Sequence, residues 1–261
     1  CNREIKFKSF LDYAFEIGAD YIATGHYAKI LNRNGRYHLA RARDINKDQT
    51  YFLHEVTEKE FSKCLFPLEN LIKSEVRDIA LNNNLVTANK KDSVGICFVG
   101  EKNLKDFLNR FIEFKKGNIK DENNNVIGQH QGAILYTQGQ RQGLMIGGIK
   151  DKEELPWYVY KKDIPNNEIY VCQGGDNELL MNKGLYVEDI NFINDINYQY
   201  PINCAVQVRH QHTPVTCVIE KISNKFRVTF SEPIRAIAPG QSAVFYDDKI
   251  CLGGGVICKT F

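Results

Sequence analysis

The sequence predicts an α/β segment at the start of the chain and a largely antiparallel β region at its end, closed into a small barrel or sandwich. Three observations carry this expectation. A helical apolar repeat of Phe7, Phe10, Leu11, Ala14 and Phe15 stops at Gly18 and gives way to a short β-forming run at 21–24. That run opens into Gly25-His26, and helix, strand and glycine turn in succession are the rhythm of a doubly wound sheet, whose ligands sit beyond the carboxyl ends of the strands. From Leu185 onward, short alternating runs at 204–208, 215–219, 226–230 and 243–246 replace the helical period with a period of two.

The elements follow in order. Gly18 suits a left-handed cap on the first helix. Runs at 28–31 and 37–40 flank Asn34-Gly35, a pair that takes the positive φ angles of a tight hairpin turn. Residues 44–49 form a polar loop. Helices are expected at 58–65 and 74–82, the second with Val76, Ile79 and Ala80 on one face and Ser74 as N-cap. Residues 90–95 are loop, a helix at 104–112 opens a new unit, and the stretch to about Val171 is glycine-rich and mixed. Residues 139–148 lack the preceding strand and following helix of a dinucleotide loop and are expected to be a close-packed turn linking domains. The runs Asn82-Asn83-Asn84 and Asn123-Asn124-Asn125 read as polar turns.

Composition narrows the class. With 261 residues, 43% of them hydrophobic, the chain has the material for two or three domains. A net charge of +2 does not by itself mark a nucleic-acid binder, yet residues 1–47 hold nine Lys and Arg against five Asp and Glu, so a phosphate-tracking surface is expected to begin there. Eight cysteines without Cys-x-x-Cys spacing and without a long apolar run indicate a reducing, cytoplasmic setting and no membrane. Six histidines, none spaced as paired ligands, give no support for a metal site.

Two cysteines stand in unlike settings. Cys1 opens the basic stretch Cys1-Asn2-Arg3-Glu4-Ile5-Lys6-Phe7-Lys8, and Cys97 lies in Asp92-Ser93-Val94-Gly95-Ile96-Cys97-Phe98. Further motifs follow in one order: Ala23-Thr24-Gly25-His26-Tyr27, the stretch 46–53, Gly139-Gln140-Arg141-Gln142-Gly143-Leu144, the stretch 239–246, and Cys251-Leu252-Gly253-Gly254-Gly255. On these segments the chain resembles the tRNA-specific 2-thiouridylases, which replace the C2 oxygen of the wobble uridine with sulfur at the expense of ATP. The family's Ser-Gly-Gly-x-Asp-Ser loop does not occur in these residues. The chain is therefore read as the C-terminal part of a longer protein, with ATP and magnesium held mostly by the preceding region.

The resemblance implies a partial doubly wound, adenine-nucleotide hydrolase-like α/β domain at 1–101, a small central α/β domain at 102–178 and a C-terminal antiparallel β-barrel at 179–261 that grips tRNA. It implies that Cys97 carries a persulfide, charged by a sulfur-carrier protein or cysteine desulfurase, and that Cys1 is its nucleophilic partner, a disulfide between them being the product. The neighbouring Arg3, Lys6 and Lys8 would favour the Cys1 thiolate. Gly25 matches the position whose backbone approaches ATP. His26, Lys47, Asp48, Gln49, Arg209, His210 and Gln241 match tRNA-contacting positions, although an aromatic residue commonly follows the Arg where this chain has His210. The other six cysteines are assigned to packing.

The chemistry explains the need for these parts. The uridine C2 carbonyl is a poor electrophile with a poor leaving group, and adenylation converts its oxygen into part of departing AMP. Sulfur is carried as a persulfide because a bare sulfide ion is hard to hold. Either the persulfide attacks C2 directly and Cys1 then frees the thiocarbonyl, or Cys1 first liberates hydrosulfide; an external thiol resets the pair. Two rival readings are a non-catalytic tRNA-binding piece and a dithiol oxidoreductase built on Cys1 and Cys97, the latter disfavoured by the missing Cys-x-x-Cys.

Overall fold

The computed structural model describes residues 1–90, 104–147 and 154–261. Within them the chain divides into two compact units, one within Cys1–Ser93, Leu185–Glu232 and Pro239–Lys259, the other within Val94–Gly184, Pro233–Ala238 and Thr260–Phe261.

In the first unit, Asn2–Ser9 is a wide π-helical stretch that runs directly into the α-helix Phe10–Glu16. Gly18, at φ +91°, ends it as expected, and the Ala19 amide closes back on the Ala14 carbonyl at 2.9 Å. Phe7, Leu11 and Ala14 are buried, whereas Phe10 and Phe15 face solvent. Strand Ile22–Ala23 pairs in parallel with Cys64–Leu65. The helix expected at 58–65 therefore stops early, at Phe61, because Cys64 is taken into this pairing, and Cys64 sits on a strand. The second expected helix runs Lys73–Asn82, capped not by Ser74 but by Glu75, which reaches back to the Ile72 amide at 2.8 Å, while Asp44 accepts from the Lys73 amide.

Strands Ala28–Arg33 and Arg36–Arg41 form the expected hairpin, with Asn34 and Gly35 both at positive φ. The hairpin does not extend the parallel pair. It joins the sheet of the C-terminal strands, where Ala40 pairs with Ile250 and the Arg41 amide bonds to the Lys249 carbonyl at 2.9 Å. That sheet closes on itself: Ser242–Asp247, Ile202–Gln207, Val215–Ile222, Lys225–Arg235, Met181–Val187 and Ile250–Thr260 follow in order, and the last pairs again with the first. Closure removes the sheet edges, so it is a barrel. Gly253 fits this turn of the wall because a Cβ there would collide with the Asn191 carbonyl. One apolar core joins the helix, the hairpin and the barrel, with Phe7, Leu39, Phe61, Val244 and Cys251 among its members.

In the second unit, four strands order as Val126–His130, Gly117–Lys120, Glu168–Gln173 and Trp157–Asp163, the middle pair parallel and the outer pairs antiparallel. Ile119, Val159, Ile169 and Val171 fill its core. The helix expected at 104–112 covers Leu104–Leu108. The glycine-rich stretch from Gly139 packs as a turn against this sheet, where the Gly139 amide bonds to the Val159 carbonyl at 2.7 Å. Asn123 and Asn125 donate their amides to Asp121, which makes that asparagine run a turn.

Candidate functional site

Cys1 is exposed and precedes the π-helical stretch, its carbonyl accepting from the amides of Ile5 at 3.0 Å and Lys6 at 3.1 Å. The three nearby cations are arranged differently from the simple expectation. Arg3 pairs with Glu4 and Glu55, and Lys8 pairs with Glu4, so their charge is largely spent on carboxylates. Lys6 instead lies 3.3 Å from Nε2 of His26.

His26 is almost wholly buried and packs against Phe7, with ring centroids 5.7 Å apart. Its Nδ1 lies 2.8 Å from Thr24 Oγ1. An ammonium can only donate, so Nε2 accepts from Lys6, and the ring proton rests on Nδ1 and is donated to Thr24. Burial, reinforced by the Lys6 charge, holds the imidazole pKa down at about 4, which keeps the ring neutral near pH 7. Gly25, the residue before it, has no positive φ, and a Cβ there would meet nothing within 4 Å. Neither backbone geometry nor internal packing calls for glycine at this point, which leaves room for a ligand to approach the main chain.

The loop after the hairpin turns the three predicted RNA-contacting residues to different tasks. Lys47 ends a short 3₁₀ turn and is half-buried. Asp48 is buried, and its carboxylate accepts from Arg41 at 3.2 Å, from the Thr50 hydroxyl at 2.6 Å and from the Ala42 amide at 3.3 Å. Burial pushes its carboxyl upward, while those donors pull the other way. Both Asp48 carboxylate oxygens thus face protein donors. Gln49 accepts from the Tyr27 amide through Oε1 at 3.0 Å, tying the loop to the Gly25-His26 turn.

From the barrel, His210 donates Nε2–H to the Asp48 carbonyl at 3.0 Å, since that oxygen can only accept. Its ring lies 4.5 Å from that of Phe52. Arg209 leaves the strand end beside it, where its carbonyl accepts from Gln207 at 3.1 Å. Gln241 follows Gly240, at φ +89°, and its carbonyl accepts from the Ile257 amide at 2.8 Å. The next residue, Ser242, accepts from the Tyr51 hydroxyl at 2.9 Å.

The structure therefore brings Cys1, Gly25, His26, Lys47 to Gln49, Arg209, His210 and Gln241 into one connected region of the first unit. Cys97 lies outside the described residues. Sequence reasoning missed the connectors. Asn2 donates to the Phe52 carbonyl at 2.9 Å, so the start of the Cys1 helix is fastened to the residue that packs on His210. Arg41 bonds Gln207 at 2.8 Å and stacks over Tyr246 at 3.9 Å. Asn2 and Phe52 lay inside motifs already singled out, but nothing local marked Arg41 or Gln207. A polar cleft of about 540 Å³ opens beside this junction, with Arg41, Asp48, Gln207, His210, His212 and Pro214 on its walls.

The remaining described cysteines behave as packing residues. Cys64, Cys172, Cys204, Cys217 and Cys251 are buried, Cys258 is half-buried with its thiol donating to the Tyr186 carbonyl at 3.2 Å, and burial pushes the thiols of Cys64 and Cys251 up to about 12. Among the described residues no group of three or more His, Cys, Asp or Glu is placed to hold a metal, and no helix is long and apolar enough to cross a membrane.

Residues 1–101 match the family described as the tRNA methyl transferase HUP domain, 105–173 the tRNA methyl transferase PRC-barrel domain, and 182–257 the aminomethyltransferase beta-barrel domain. The chain is 51% identical over 257 residues to the tRNA-specific 2-thiouridylase MnmA of Pseudomonas fluorescens strain Pf-5, an alignment covering 98% of this chain and 68% of the relative. It is 48% identical to the protein of the same name from Stutzerimonas stutzeri strain A1501, over 98% of this chain and 68% of the relative. With that of Pseudomonas fluorescens strain SBW25 it shares 50% identity, over 98% of this chain and 69% of the relative.

Proposed function

Because the chain belongs to the tRNA-specific 2-thiouridylase family, we propose that its surface around Cys1, Gly25 and His210 serves sulfur transfer to C2 of a wobble uridine in tRNA. The observation that carries this reading is the identity of 51% sustained over 98% of the chain. ATP activates the C2 oxygen by adenylation, and AMP and pyrophosphate leave. Gly25 offers its open backbone to the nucleotide, while magnesium and the rest of the nucleotide are held mainly by residues outside this sequence.

Cys97 carries the sulfur as a persulfide supplied by a sulfur-carrier protein or cysteine desulfurase. Cys1, exposed at the helix start, attacks the inner Cys97 sulfur and breaks its bond to the outer sulfur. That outer sulfur either has already displaced AMP from C2 and stays there as the thiocarbonyl, or leaves as hydrosulfide and displaces AMP itself. An external thiol then reduces the Cys1–Cys97 disulfide. Lys47 and Arg209 meet phosphates, and His210 and Gln241 lie where an unstacked loop contacts the protein. Asp48 acts through position: its side chain anchors the loop and its carbonyl orients His210. The wobble base must leave its stack to reach the cysteines. A cytoplasmic location follows from this substrate.

The test is the 2-thiouridine content of tRNA, by nucleoside mass spectrometry, in cells that depend on the full-length protein. Loss of the thiolated nucleoside on depletion and its return on re-expression support the reading; unchanged content removes it.

A further inference from the structure

We propose that Lys6 contacts the substrate in this reaction, its ammonium binding the phosphate of the activating nucleotide beside the Gly25 turn. This inference rests on the reading of Gly25 as the place where nucleotide meets backbone.

Lys6 differs from the two cations around it. Arg3 and Lys8 face Glu4, with Arg3 also on Glu55, and all of these groups are well exposed. Lys6 is half-buried, and among the described residues no carboxylate lies within ion-pair distance of it. Its contact is with the neutral His26 ring, which accepts one of its three N–H bonds and cancels none of its charge. A partly desolvated ammonium held by a neutral acceptor is a site of uncompensated positive potential. Such a group is stabilised by an arriving anion, and a phosphate offers both the charge and the acceptor oxygens.

Its position fits this use. Lys6 lies one wide helical turn beyond Cys1, to whose carbonyl its amide bonds at 3.1 Å, and it touches the residue that immediately follows Gly25. The tautomer of His26 is set by Thr24 on the far side of the ring, so Nε2 stays turned toward Lys6 and the lysine stem is held in place. The ammonium keeps two donors for a phosphate oxygen. Lys6 is thus tied through its backbone to Cys1 and through its side chain to the residue after the open glycine turn, so one residue links the two places that a base activated through phosphate would have to reach.

The experiment compares Lys6→Gln and Lys6→Arg with the unaltered full-length protein, by equilibrium binding of a non-hydrolysable ATP analogue, by tRNA binding and by thermal unfolding. The expected result is at least a tenfold loss of nucleotide affinity in Lys6→Gln, most of it recovered in Lys6→Arg, with tRNA affinity changed less than twofold. Unchanged nucleotide affinity in Lys6→Gln, with or without a lower unfolding temperature, would make Lys6 a tether of the helix and overturn the proposal. Should the unaltered protein itself bind no nucleotide, the reading of the Gly25 turn fails, and the proposal with it.

Discussion

Arg41 and Asp48 form an ion pair at 3.2 Å with both side chains largely withdrawn from water, and this pair joins the hairpin, the loop and the barrel. The other arm of the guanidinium reaches Gln207 at 2.8 Å, and its face covers Tyr246. The Tyr246 hydroxyl in turn lies 3.2 Å from Thr50, which donates to Asp48. Every partner in this ring therefore holds another, which is how a buried charge pair avoids the full cost of desolvation.

Removing one partner is expected to be expensive. Asp48→Ala leaves the Arg41 guanidinium buried without a carboxylate, and breaking such a pair costs about 3–5 kcal/mol. Asp48→Asn, which keeps an acceptor oxygen, should lose less. Urea unfolding of the full-length protein checks this, and equal, small losses in both variants would mean that the pair contributes little.

Gly25→Ala is expected to fold as stably as the parent, within about 0.5 kcal/mol, because the added methyl meets open space and the backbone is not at positive φ. Nucleotide binding should nonetheless fall at least tenfold. A variant that binds the ATP analogue normally would return Gly25 to the rank of an ordinary turn residue.

Much of this was legible in local sequence. The hairpin was announced by Asn34-Gly35, the helix end by Gly18, and the barrel strands by their alternation, because each depends on residues close in the chain. What was not legible was pairing at a distance. Nothing in 36–41 says that Ala40 will meet Ile250, and nothing in 58–65 says that Cys64 will pair with Ile22 and end the helix. The site shows the same division. The family motifs pointed to Asp48 and His210, but only the fold reveals that Asp48 faces inward and that Arg41, Gln207 and Asn2 organise the region.

Lys47→Ala is expected to weaken tRNA binding about equally for every tRNA and to lower the slope of log affinity against log salt by about 1, as loss of one phosphate contact should. Thiolation at saturating tRNA should persist. A large fall in turnover with unchanged salt slope would place Lys47 in the chemistry instead.

Cys97→Ser and Cys1→Ser should each abolish 2-thiouridine formation while leaving tRNA affinity within twofold. They should differ in one respect: persulfide-labelled protein is expected to accumulate in Cys1→Ser and to be absent from Cys97→Ser. Sulfur retained on Cys1 in the Cys97→Ser protein would reverse the two roles.

The last prediction concerns acid. Burial first and the Lys6 charge second hold His26 down at about 4, whereas an unfolded histidine titrates near ~6.5. Between these values the unfolded chain takes up a proton that the folded chain refuses, so the unfolded state binds more protons and stability rises with pH across the window. The contribution is complete above ~6.5 and is lost as pH falls toward 4, with a limiting slope of about 1.4 kcal/mol per pH unit for one proton. Denaturant unfolding at several pH values in that window should show a steeper loss in the parent than in His26→Gln. Lys6→Gln should raise the His26 pKa, measured by NMR, yet leave it below ~6.5, since burial is the larger cause. Parallel pH profiles for the parent and His26→Gln would show that the ring is not held neutral by its surroundings.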